Sequence, residues 1–128
     1  MHHSHATRQY NNLDLQTRTE NASPHQLVQM LFGGALVRIK AAMGHMERKE
    51  IAQKAELIGK AIAIIDGLRG SLNMEQGGPV ASNLDDLYLY INKQLLLANL
   101  QNDEAKLHEV CQLLEDIKSA WDALNPTK

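Results

Sequence analysis

The sequence predicts an all-α fold, an antiparallel four-helix bundle behind a short N-terminal segment, and three observations lead there. In four stretches apolar residues recur at spacings of three and four, the period of one helix face. Clusters of glycine, proline, asparagine or charged residues separate those stretches. The composition is 44% hydrophobic but only 4% aromatic, an aliphatic and alanine-rich content that suits packed helices better than a β-sandwich. At 128 residues the chain makes one domain, able to bury somewhat under about 68% of the surface its unfolded form exposes.

Residues 1–22 are polar, with Tyr10, Leu13 and Leu15 as the only bulky apolar groups, and are expected to be mobile or docked as a short helix that caps the body. The opening MHHSH, added or native, lacks the fixed neighbours that orient metal ligands and is not read as a metal site. The bundle is expected over residues 23–125. Ser23-Pro24 starts the first helix, about 23–46, with an N-cap hydroxyl, proline at N1 and Gln26 where a capping box needs it. Its inward stripe reads Val28, Leu31, Ala35, Ile39, Ala42 and Met46. Gly33 and Gly34 interrupt that stripe without shifting its phase, which points to close approach of a neighbouring backbone.

After the charged turn Glu47–Glu50, a second helix is expected over about 51–72. Ile51, Ala55, Ile58, Ile62 and Ile65 face one way, while Leu57, Ala61, Ile64 and Leu68 form a second row about 120° round. That second row is either a wide core stripe or a face left for a partner. Gly77, Gly78 and Pro79 then break the chain, and a third helix is expected over about 80–100. Val80, Leu84, Leu87, Ile91, Leu95 and Ala98 make its inward stripe, yet Leu89, Leu96 and Leu100 fall on the opposite side, with Tyr88, Asn92 and Asn99 at the flank. So small a domain has little use for a helix apolar on both sides unless something else covers the second. The fourth helix, about 103–124, carries Leu107, Val110, Leu114, Ile117, Trp121 and Leu124, and Asn125-Pro126 ends it. Short connections make sequential helices antiparallel neighbours.

Several function classes find no support. Net charge is -2 and the isoelectric point near 6.3, so no basic field attracts nucleic acid or anionic lipid. No consecutive apolar run approaches the roughly 18 residues of a membrane span and no hydrophobic leader opens the chain, so a cytoplasmic protein without membrane insertion is expected. Cys111, the only cysteine, rules out an internal disulfide and sits where a buried apolar group belongs. The Glu-x-x-His pairs of a di-iron bundle are missing, and no serine has a histidine placed beside it. His25 and His45 read as surface residues, and Asp85 and Asp86 as carboxylates favouring a helix N-terminus. GGP lacks the residues of a phosphate loop. Neither an enzyme nor a bound metal or cofactor is expected.

Two segments carry a resemblance. The stretch NLDDLYLYINKQLLLAN, Asn83 to Asn99, follows the pattern NLxxLYxYxxxxLLxAN, and ASPHQLVQMLFGGA matches ASPxxLxxMLxDGA at Ala22, Ser23, Pro24, Leu27, Met30, Leu31, Gly34 and Ala35. Both patterns, and the LNMEQGGPVASNL connection between them, resemble the flagellar secretion chaperones of the FliS family. The likeness spans about Tyr10 to Trp121. It departs at Gly33 and Leu89, where the family is usually acidic, and at Lys93 and Gln94, where it commonly has two arginines whose forked donors would bind a client bidentately.

The resemblance implies a cytosolic export chaperone. It would bind the disordered C-terminal segment of flagellin, prevent premature polymerisation and present the client to the type III export apparatus, with an export-gate component or a flagellar regulatory protein as further partners. It also implies that the N-terminal segment, with Tyr10, covers the client groove until displaced. The expected contact set is Tyr10, Leu31, Ile64, Leu68, Tyr88, Asn92, Leu96 and Asn99, with core packing as the other reading for Leu31 and Tyr88. A homo-oligomeric structural bundle, burying the same rows against its own copy, is the alternative.

Overall fold

The computed structural model describes residues 21–124, and the expectations for residues 1–20, Tyr10 among them, lie outside that range. Four helices follow in order: α1 (Pro24–Glu47), α2 (Ile51–Gly70), α3 (Met74–Gln101) and α4 (Glu104–Ala123), with no strand among the described residues. Each packs on its sequence neighbours and α4 closes the ring on α1. Cross-contacts fix the antiparallel sense: Lys54 at the start of α2 meets Asn99 at the end of α3, and His25 at the start of α1 meets Trp121 at the end of α4.

The α1 start uses the capping box legible in the sequence. The Gln26 amide donates to Ser23 Oγ at 3.1 Å, and the Ser23 amide donates to Gln26 Oε1 at 2.9 Å. Its core face holds Phe32, Ala35, Leu36, Ile39, Ala42 and Met46. Val28 and Leu31 are only half-buried, so the stripe is centred further round than the spacing alone suggests. The expected close approach of a neighbouring backbone is found at neither glycine. A Cβ on Gly34 would stand 3.5 Å from Ile64 Cδ1 on α2, whereas one on Gly33 would meet nothing within 4 Å. By length and composition α1 could span a bilayer, which counting consecutive apolar residues does not register because Arg38 and Lys40 interrupt the run. In the fold it packs between α2 and α4.

On α2 the inward centre falls between the two rows, on Lys54, Ile58, Ala61, Ile65 and Leu68, while Ile51 is exposed. The second row is therefore largely core stripe. On α3 the inward face is Ala81, Tyr88, Ile91, Leu95 and Ala98, whereas Val80 and Leu87, expected inside, are exposed. The Gly-Gly-Pro cluster does not simply precede this helix. One turn forms from Met74 under an Asn73 cap, Gly78 breaks it at φ 51° and ψ -131°, and Pro79 restarts it. On α4, Leu107, Val110, Cys111 and Leu114 are buried, with Ile117 and Trp121 packed against the core.

Candidate functional site

Tertiary packing divides seven of the eight expected contact residues among three places. Leu68 and Tyr88 belong to the core. Leu68 is 1% exposed because it continues the inward line of Ala61 and Ile65, and Tyr88 lies tilted beside Phe32 with ring centroids 6.4 Å apart. Neither offers a client more than an edge. Ile64 turns toward α1 at Gly34, and Leu31, one turn before Gly34, is half-buried on the same edge. Asn92, Leu96 and Asn99 stay together on the flank of α3 that faces α2, and Tyr10 lies outside the described residues.

The seam between α2 and α3 is polar below and apolar outside. Arg69 Nε donates to Asp85 Oδ1 at 2.8 Å, which gives Asp85 a cross-helix partner in place of the expected terminal role. That carboxylate raises the Arg69 pKa further. Asn92 Nδ2 donates to Asp66 Oδ1 at 3.0 Å, and Lys54 Nζ donates to the Asn99 carbonyl at 2.9 Å. Above these bonds Leu96 is 59% exposed and Leu100 82%, with Leu89 also open. The three fall within about 40° of one another around α3 and so form one outward row. This row was fully legible in the spacing.

A second apolar feature was not. A cavity of about 580 Å³ opens at the end of the bundle where α1 begins and α4 finishes, lined by Phe32, Leu72, Val80, Leu84, Tyr88 and Trp121 among others. At its rim the Trp121 indole donates to the His25 carbonyl at 3.1 Å and stacks on the His25 ring at 4.9 Å, which supplies the acceptor an indole in that position requires. Periodicity cannot show such a space. It depends on the Gly78 break, which lets the first turn of α3 take a different course from the rest.

Cys111 lies outside both features. Burial pushes the Cys111 thiol up to about 11, away from the thiolate form a nucleophile needs. Among the described residues no group of three or more His, Cys, Asp or Glu side chains could hold a metal ion. Such walls can bury apolar side chains.

Comparison with known proteins decides the family. The family model described as flagellar protein FliS matches residues 6–128. This chain belongs to the FliS family. Its relatives include the flagellar secretion chaperone FliSB of Pseudomonas aeruginosa, 46% identical over 94% of this chain and 95% of that protein. The flagellar secretion chaperones FliS of Salmonella typhimurium and Vibrio cholerae are 42% and 41% identical, each over 91% of this chain and 87% and 86% of theirs. The FliS assignment fits the all-α bundle and accounts for the two segments that carried the likeness. Ser23 to Ala35 builds the capped start of α1, and Asn83 to Asn99 builds the helix that holds both the seam and the outward row.

Proposed function

We propose that this protein acts in the cytoplasm as a flagellar export chaperone, holding the disordered C-terminal segment of flagellin in a state that cannot polymerise and handing it to the export apparatus. The observation that carries this reading is the outward row Leu89, Leu96 and Leu100, apolar surface left exposed after the four helices have closed on one another. A chain with little structure of its own can lay apolar side chains on that row and into the cavity, and the contact energy offsets the entropy of ordering it. The relatives' role as flagellar secretion chaperones supports a client in flagellar export; flagellin as that client, an export-gate component or flagellar regulator as second partner, and the cytoplasmic location are the finer parts of this proposal.

The N-terminal segment with Tyr10 is its natural competitor. Its residues lie outside the described range, which begins with Asn21 at the end of the bundle where the cavity opens. Within the contact set, Leu96, Asn92 and Asn99 then carry direct contacts and Tyr88 lines the cavity, while Leu68 stays in the core and Leu31 and Ile64 stand on the edge between α1 and α2.

Leu96→Asp tests the reading. An anchor of this kind contributes about 2 kcal/mol or more, so affinity for the terminal segment of flagellin should fall at least about thirtyfold while helicity and the melting temperature hold. Unchanged affinity would show that the client binds elsewhere. A protein unfolded by the substitution would show that Leu96 is core, against its exposure.

A further inference from the structure

The cavity at the end of the bundle gathers the aromatic side chains of a chain that has few. Aromatics make up 4% of the sequence, yet its single phenylalanine, Phe32, its single tryptophan, Trp121, and Tyr88 all line this space of about 580 Å³. Their neighbours are mostly aliphatic, and among the described residues no charged side chain enters the lining. The polar groups of the wall are engaged with one exception. Ser71 Oγ donates to the Leu68 carbonyl at 2.7 Å, Asn73 Oδ1 accepts from the Gln76 amide at 3.0 Å, and the Trp121 indole donates to the His25 carbonyl. Tyr88 is 3% exposed, and among the described residues its hydroxyl forms no hydrogen bond. Burial, with no bonded neighbour contributing, pushes that hydroxyl up to about 12. A buried phenol ordinarily has a partner, and this one faces a space able to hold it.

We infer that the cavity is a binding site for a small, neutral aromatic molecule with one hydrogen-bonding group, its ring against Phe32 and Trp121 and its polar group on the Tyr88 hydroxyl. Three properties of the space specify that ligand. Size comes first. A sealed cavity of about 150 Å³ takes up benzene, so this larger one, open at its mouth, has room for roughly ten to twenty non-hydrogen atoms. Aromatic walls favour a ring, through edge-to-face and offset contacts. An ion of either sign would lose its water there and find no counter-charge in the lining, which leaves a neutral molecule. The inference concerns the free protein and stands apart from the client reading.

The test titrates the full chain with β-naphthol, naphthalene and β-naphthoate, following by NMR the Trp121 indole N–H, the only such signal the chain has. β-Naphthol should shift it saturably, and β-naphthoate should bind at least about tenfold more weakly because its charge is desolvated. In Tyr88→Phe the preference for β-naphthol over naphthalene should fall about five- to tenfold, the effect of one neutral hydrogen bond. Ala120→Phe, at an exposed position of the lining, should block both neutral probes without lowering the melting temperature. The inference is overturned by the absence of a saturable shift with either neutral probe, by an unchanged preference in Tyr88→Phe, or by naphthoate binding as tightly as naphthol. Undiminished binding to Ala120→Phe would place the probes outside the cavity and overturn it too. So would failure of Tyr88→Phe to fold, which would show the hydroxyl already bonded within the protein.

Discussion

Lys54 shows how individual side chains in this bundle answer local demands that periodicity cannot anticipate. It is 3% exposed, on the inward line of α2, where the spacing had suggested only isoleucine and alanine. Its ammonium group satisfies the Asn99 carbonyl, one of the last four of α3, which have no partner inside their own helix. A cation at a helix C-terminus is also favoured by the macrodipole. Tyr88 answers a different demand. Burial pushes its hydroxyl up to about 12 from 10.0, so between those values the unfolded chain releases a proton that the folded chain keeps. The stability this provides is complete below pH about 10 and lost as pH rises through that window. Cys111 adds a loss of the same sign from about pH 9, and Tyr90, whose hydroxyl donates to Glu109 at 2.8 Å, another. Thermal melting across pH 8–12 should therefore show a falling alkaline limb, shallower in Tyr88→Phe. Identical limbs would place the Tyr88 hydroxyl in water. The sequence put Tyr88 at the flank of its stripe, between core and contact, and a phase shift of a few tens of degrees decided for the core.

At the scale of elements, the helix-forming signals were readable wherever the chemistry is local. The Ser23 capping box was read directly; the Asn102 left-handed stop at φ 56° and the Asp103 cap of α4, which the structure adds, likewise depend on residues within four positions. The Gly78 break was readable only as punctuation. Its φ of 51° with ψ of -131° suits glycine, and no side chain adopts it without strain. Gly78→Ala should cost about 1–3 kcal/mol and lower the melting temperature by several degrees, with the cavity end of the bundle loosened first in hydrogen exchange. Unchanged melting would mean that the α3 entry relaxes freely. Packing of the continuous helix after the break turned its inward face a few tens of degrees from the expected stripe, so the sequence misassigned Val80 and Leu87 to the interior and could not foresee the cavity beside them. The outward row survived this error. Leu89, Leu96 and Leu100 lie far enough from the true inward direction that a shift of a few tens of degrees leaves them outside.

For the whole molecule, the bundle closes its core with aliphatic residues from all four helices and still leaves apolar surface on α3 and at one end. The fold class was legible because four amphipathic stretches with short connections permit few other arrangements. The site was legible in part. Which helix exposes surplus leucine follows from periodicity, whereas which residues share a groove follows from helix rotation and packing, and so Ile64 and Leu31 lie on the edge between α1 and α2 and not on the α2–α3 seam. If the same surfaces serve self-association, sedimentation at micromolar concentration should reveal a dimer that the client peptide does not dissociate, whereas a chaperone should run as a monomer or give way to the peptide. The most direct measurement is calorimetric titration of this protein with the last forty or so residues of the host's flagellin. The account predicts saturable one-to-one binding with a negative heat-capacity change, as buried apolar surface requires. Absence of binding at concentrations where the protein stays folded would contradict it.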